Sequence, residues 1–201
     1  SLDLENNEEN KKLIKASEEA LEKALSLVKS KSVEARLSEV GKVIQNTIES
    51  HGFSPVTNLS GHSIEKYNLH AGDTVPNIDN NGASKFKEGI YAIEPFTTNG
   101  NGKVHDGVRS GIYELVEERN TRSPIAREVL TFVQKEYETL PFCSRWIVKA
   151  LGTKALFGLR ELESNGIIHQ FTQLVEAQNT KVSQSEQTVL IEKGKVTVTS
   201  L

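Results

Sequence analysis

Two amphipathic helical stretches follow one another near the start of the chain, and a pair of apolar stripes needs a flat apolar surface to cover. From about Lys11 to Lys29 the residues Leu13, Ala16, Ala20, Ala24 and Leu27 recur at helical spacing, flanked by Leu21, Leu25 and Val28. Ala, Leu, Glu and Lys dominate this stretch, and all are good helix formers. A second helix is predicted over about Ala35 to Ser50, with Leu37, Val40, Ile44 and Ile48 on one stripe and Gly52 placed to cap its end. Two such helices joined by a short connection pack side by side on a sheet.

The strand-like segments that follow would supply that sheet. Pro55 to Leu59 and Ile64 to Leu69 are short apolar or alternating stretches, punctuated by Gly61 and Gly72. Asp79-Asn80-Asn81-Gly82 reads as a turn, and Gly89 to Phe96 as a strand whose run is ended by Pro95. The Gly-Asn-Gly-Lys within Thr98 to Lys103 is too short for a phosphate loop and is read as an ordinary loop.

The pattern then turns helical. A helix is predicted from Ser123 or Pro124, burying Ile125, Val129, Phe132 and Val133, and Leu140-Pro141-Phe142 ends it. Ser144 to Leu151 and Thr153 to Ser164 read as two more helices separated by Gly152, followed by short strands at Ile167-Ile168 and Phe171 to Glu176. Three helices and a small hairpin make a winged-helix-like order. Its basic residues, among them Arg127, Lys135, Arg145 and Arg160, are interleaved with Glu128, Glu136, Glu138 and Glu161, so a solvated surface is the reading rather than a nucleic-acid face. Strands return at Thr188 to Ile191 and Lys195 to Thr199, joined by a hairpin turn at Glu192-Lys193-Gly194.

The whole chain bounds the function classes. Its 201 residues suffice for one sizeable domain, alone or with a small insertion. A net charge of -3 gives no reason to expect nucleic acid or an anionic membrane as the main partner. The single cysteine, Cys143, fits a reducing cytosol, and no apolar run approaches the roughly 18 residues of a spanning helix. The sequence lacks methionine and opens Ser1-Leu2-Asp3-Leu4, as expected either of a processed start or of the later part of a longer protein.

Chemistry centres on a few residues. His62 follows Gly61, which lets backbones approach closely. Glu94 ends the apolar run Tyr-Ala-Ile-Glu-Pro, where a carboxylate is costly unless paired or bound to a cation. Glu186 precedes the strand Thr188 to Ile191 and can share a sheet with Glu94. One imidazole and two carboxylates from separate strands suit divalent Mn, Fe, Co or Zn. The same residues also suit an ordinary salt-bridged surface. Cys143 is read as a buried apolar residue, His51 as a residue at a helix end, and His105 and His169 as surface.

Three segments together carry a resemblance. Asn58-Leu-Ser-Gly-His62-Ser-Ile-Glu-Lys-Tyr-Asn-Leu-His70-Ala-Gly, then Tyr91-Ala-Ile-Glu94-Pro-Phe, then Ser185-Glu186-Gln-Thr-Val-Leu-Ile resemble, in that order, the type II methionine aminopeptidases, especially the archaeal ones. The resemblance spans nearly the whole chain. It implies an α/β (α+β) fold: half of the pita-bread, creatinase/aminopeptidase-like architecture, carrying the winged-helix-like insertion. Residues 1–108 and 181–201 would form the second half of the catalytic domain, and 109–180 the type II helical insertion. His62, Glu94 and Glu186 would be metal ligands, Glu94 would also move protons, and His70 would be a catalytic residue contacting the substrate peptide.

The implied cofactors are two divalent ions (Co, Mn, Fe or Zn). The implied reaction is removal of the initiator methionine from nascent polypeptides in the cytoplasm, with no membrane partner. The family's two aspartate ligands come from its first half and have no counterpart here, so the chain alone is expected to be inactive and to need a complementary N-terminal half. The family usually has an aromatic residue before the last glutamate and a histidine after it, where this chain has Ser185 and Gln187. The alternative expectation is a non-catalytic scaffold of the same fold that associates with ribosomes or RNA.

Overall fold

In the computed structural model, which describes residues 1–200, the chain divides into two units. One comprises Ser1–His105 and the residues from Glu176 onward, the other Asp106–Val175.

In the first unit the two predicted helices form where their apolar periodicity places them. Helix α1 (Glu8–Lys31) is capped by the Asn7 side chain, which accepts from the Glu9 amide at 2.8 Å, and it places Glu8 and Glu9 in its first turn and Lys29 and Lys31 in its last. Its buried stripe runs through Leu13, Ala16, Ala20 and Ala24 to Val28. Helix α2 (Leu37–Ser50) begins with the Glu39 carboxylate accepting from the Arg36 amide at 2.9 Å, and the chain turns out of it at Gly52, φ +78°. Gly41 lets α2 lie close to residues 76–78, because a Cβ there would overlap the Ile78 carbonyl oxygen.

The helices cover one face of a five-stranded antiparallel sheet. Its order is β11 (Lys195–Val198), β10 (Gln187–Glu192), β4 (Gly89–Ile93), β2 (Ser60–Ile64), β3 (Thr74–Pro76). Tyr91, Ile93, Val189, Ile191 and Val75 point toward the helices and are buried with Leu21, Val28, Val40, Ile44 and Ile48. Each large side chain so buried contributes about 2 kcal/mol of hydrophobic stabilisation. In the alternate register, Ile64 pairs with Ile90 and Ile90 with Leu190, and Ile90 is exposed. At Lys193 and Gly194 both φ values are positive, which is the backbone a two-residue hairpin turn requires.

Two local expectations are corrected. The run Gly89 to Phe96 is not one strand: β4 ends at Ile93, and β5 (Phe96–Thr98) joins a second sheet, between β1 (Ser54–Pro55) and β9 (Val182–Gln184). Glu94 and Pro95 form the corner, and Pro95 has no N–H to continue the ladder. The strand that carries His62 is Ser60–Ile64, whereas the rest of the stretch Ile64 to Leu69 folds into a turn closed by a Glu65–Asn68 bridge.

The second unit packs α3 (Pro124–Glu136), α4 (Ser144–Leu151) and α5 (Ala155–Ser164) with a three-stranded sheet. The sheet order is β7 (Phe142–Cys143), β6 (His105–Leu115), β8 (Ile168–Val175). Val129, Val133, Phe142, Ile147, Leu159 and Ile168 fill its core. Tyr113, Phe142, Tyr137 and Trp146 stack in series with ring centroids 5.5–5.9 Å apart. Cys143 is buried, as expected. Strand β6 carries little sequence signal: its first five residues are exposed and mostly polar, so buried apolar alternation appears only at its end. Among the described residues no helix is long and apolar enough to cross a membrane.

Candidate metal and substrate site

His62 owes its position to Gly61. A Cβ on Gly61 would lie far inside contact distance of the Ala92 carbonyl oxygen, so only glycine lets β2 lie this close to β4. His62 then pairs with Ala92 on one side and Thr74 on the other. Its Nδ1 lies 3.3 Å from the Ser63 carbonyl oxygen, which can only accept, so Nδ1 carries a proton. Nε2 lies 3.1 Å from Glu94 Oε1, and the two side chains are only 12 and 11 % exposed. The turn after β2 folds back through the Ala71 amide donating to the Ser63 carbonyl at 2.9 Å. It brings the exposed His70 ring to 4.3 Å from the His62 ring, edge to face at 63°.

Glu94 is held at its corner by a residue the sequence did not single out. The fully buried Asn77 amide donates to the Leu59 carbonyl at 3.0 Å and to the Glu94 carbonyl at 3.1 Å, and its oxygen accepts from the Phe96 amide at 3.0 Å. Asn77 thus clamps the backbone on both sides of Pro95, just after Glu94, and ties it to Leu59. The Glu94 carboxyl is pushed up to about 7, first by burial and then by the negative charge of Glu186, against a lowering hydrogen bond from Gln184. With Nδ1–H turned to Ser63, His62 points Nε2 at Glu94, and a protonated Glu94 can donate to it.

Glu186 lies on the solvent side and reaches Glu94 through Gln184, whose Nε2 donates to Glu94 Oε2 at 2.8 Å and to Glu186 Oε2 at 3.1 Å. Gln184 ends β9 and Glu186 lies in the two-residue break before β10, so no strand periodicity in the sequence marks the contact between them. Asn77 carries no signal either, since it stands in a polar run that reads as a turn. The Ser185 hydroxyl lies 2.9 Å from that of the fully buried Ser17, which also meets Ser183 at 3.0 Å, so a helix–strand contact occupies the place where the resemblance has an aromatic ring.

The structure therefore joins His62, Glu94 and His70 directly and Glu186 indirectly. Among the described residues no three His, Cys, Asp or Glu side chains converge as a ready metal cage. The donor chemistry nevertheless fits a divalent ion: a largely buried imidazole–carboxylate pair, and a carboxyl whose ionisation is suppressed by burial and by the charge of Glu186. The count falls short of what two ions need.

Comparison with known proteins places this geometry in a class. The chain superimposes on a solved methionine aminopeptidase from Thermotoga maritima with a TM-score of 0.55 and 22 % identity, covering 96 % of this chain and 52 % of that one. It matches the structure of a thermophilic Arx1 with a TM-score of 0.73 and 16 % identity, over 93 % of this chain and 56 % of the other. These likenesses define the fold as pita-bread, the mixed α/β architecture the resemblance implied.

The sequence pattern of Metallopeptidase family M24 matches residues 2–193, and the chain belongs to that family. It is 41 % identical over 194 residues to a protein named methionine aminopeptidase from Pyrococcus horikoshii, and it spans 64 % of that relative's length. Membership of a metallopeptidase family implies the use of a divalent metal.

Proposed function

We propose that this chain carries the histidine- and glutamate-bearing part of a type II methionine aminopeptidase that removes the initiator methionine from nascent polypeptides in the cytoplasm. The observation that carries the reading is the His62–Glu94 contact at 3.1 Å, tied through Gln184 to Glu186 in a chain of the M24 family. His62, Glu94 and Glu186 would hold divalent metal (Co, Mn, Fe or Zn), with further carboxylates supplied from outside this ligand set, for instance by a complementary N-terminal half. Residues 1–108 and 181–201 form the catalytic half in this reading, and 109–180 the type II insertion.

Bound divalent ions supply Lewis acidity toward the scissile carbonyl and a water molecule. The protein's own groups do the rest. Glu94, with a carboxyl near 7, can accept and return a proton at neutral pH. His70, beside His62 and open to solvent, meets the substrate peptide. Gly61 and Asn77 keep the His62 ring and the Glu94 corner in register.

The test is a calorimetric Mn2+ titration of wild type and His62→Ala, with methionyl-peptide hydrolysis assayed with and without a separately supplied polypeptide bearing the missing carboxylates. Binding lost in His62→Ala and activity that appears only on complementation support the reading. Absence of both metal binding and complemented activity overturns it. That outcome would favour the second reading, a non-catalytic scaffold of the same fold, whose specific support is the lack of a converged donor group among the described residues.

A further inference from the structure

Gln184 is a neutral side chain placed between the two acidic candidates. Its single amide nitrogen has two N–H groups, and each is spent on a different carboxylate: Glu94 Oε2 at 2.8 Å and Glu186 Oε2 at 3.1 Å. Each oxygen of Glu94 then has a partner, Oε1 on His62 and Oε2 on Gln184. Such a bridge suits two neighbouring carboxyl groups, because partly positive amide hydrogens offset part of the repulsion whenever both are ionised. The bridge comes from the end of β9 (Val182–Gln184), whose backbone is fixed by pairing with β5, so only the side chain has to move to break it.

We infer that Gln184 is a placeholder: it holds Glu94 and Glu186 together in the metal-free protein and withdraws from between them when a divalent cation binds. The inference rests on the proposed metal role of these residues. Its consequence follows from linkage: a contact made only in the metal-free state stabilises that state and weakens metal binding by the same factor. Gln184 is thus a positioning residue that sets the affinity of the site rather than a ligand.

The test compares wild type with Gln184→Met, which keeps the length of the side chain and removes both donors. Thermal unfolding is followed in EDTA and in saturating Mn2+, and Mn2+ affinity is measured by calorimetry. The expected result is a lower melting temperature for the variant in EDTA only, equal melting temperatures in Mn2+, and affinity raised about ten- to a hundredfold, the range set by hydrogen bonds to charged groups. A loss of stability that persists in Mn2+, or unchanged or weaker affinity, overturns the placeholder role and leaves the metal reading standing. If wild type itself binds no Mn2+, the metal reading fails and the placeholder with it. Gln184→Glu is the check on mechanism: it swaps the donor for a third acid, and in EDTA it should melt below Gln184→Met.

Discussion

Replacing Glu94 by glutamine should stabilise the metal-free protein, and only above a definable pH. Glu94 is a carboxyl raised from 4.5 to about 7 in the folded chain. Below pH 4.5 it is protonated folded and unfolded, and its burial carries no ionisation penalty. Between 4.5 and 7 the unfolded chain ionises while the native one keeps its proton, so the native state binds more protons and stability falls as pH rises. Above 7 the penalty is complete. At about 1.4 kcal/mol per pH unit it is on the order of 3 kcal/mol.

Glutamine at this position preserves both contacts. Its oxygen accepts from Gln184 Nε2, and its amide donates to His62 Nε2, the ring atom left as acceptor by the Nδ1–Ser63 contact. Glu94→Gln should therefore match wild type near pH 4.5 and exceed it by about 2–3 kcal/mol at pH 8, in EDTA. Urea unfolding followed by far-UV circular dichroism, or hydrogen exchange at the β4 amides, measures this. Fluorescence does not, because the sole tryptophan, Trp146, belongs to the other unit. Equal stability of variant and wild type at pH 8, or a constant difference at both pH values, would refute the reasoning that burial and Glu186 hold the carboxyl neutral.

Three other perturbations follow from the same contacts. Gly61→Ala forces β2 away from the Ala92 carbonyl and should cost about 1–3 kcal/mol in urea unfolding while weakening any Mn2+ binding that depends on His62. Asn77→Ala strands the Leu59 and Glu94 carbonyls and the Phe96 amide, a loss of about 2–3 kcal/mol that should also speed hydrogen exchange at Phe96. Glu176 accepts from the Gly102 amide at 2.9 Å, the Thr180 hydroxyl at 2.6 Å and the Ala177 amide, and the Thr180 hydroxyl leads the contacts that hold its carboxyl below 4.5. Wild type should therefore be more stable than Glu176→Gln above about pH 4.5, and that advantage should fade as acid protonates Glu176 in the native state; paired urea melts at pH 3 and pH 7 check the sign.

The helices could be read from the chain because their signals are local. Leu13 to Val28 and Leu37 to Ile48 repeat at helical spacing, and Gly52, Gly152 and Gly166 mark ends that need positive φ. The C-terminal hairpin was equally plain from Lys193-Gly194. Strand limits were not, because they depend on partners distant in sequence. Ser60 to Ile64 is a strand because Gly61 fits against Ala92, and β6 is one despite its polar start because β7 and β8 flank it.

The candidate site divides in the same way. His62, His70, Glu94 and Glu186 were visible as residue types and motifs, and the fold brings the first three into contact. Gln184 and Asn77 are polar side chains whose meaning lies wholly in the atoms they meet, and no hydropathy pattern marks them. That Gln184 stands between the two glutamates could not be read from their spacing.

The five-stranded sheet also sets a timetable. Strand β4 pairs with β2, which precedes it closely, and with β10, which is made only after the whole of the second unit. At roughly 5–20 residues per second, the ribosome leaves β4 with one bare edge for several seconds. During that interval α1 and α2 lack Val189 and Ile191, two of the side chains that close their core. The second unit meanwhile can complete its own core from contiguous sequence. Refolding from denaturant should accordingly show an early phase reported by Trp146 and a slower one at Tyr91, and the slow phase should lose yield as concentration rises, because an open edge pairs as readily with another molecule as with its own late strand.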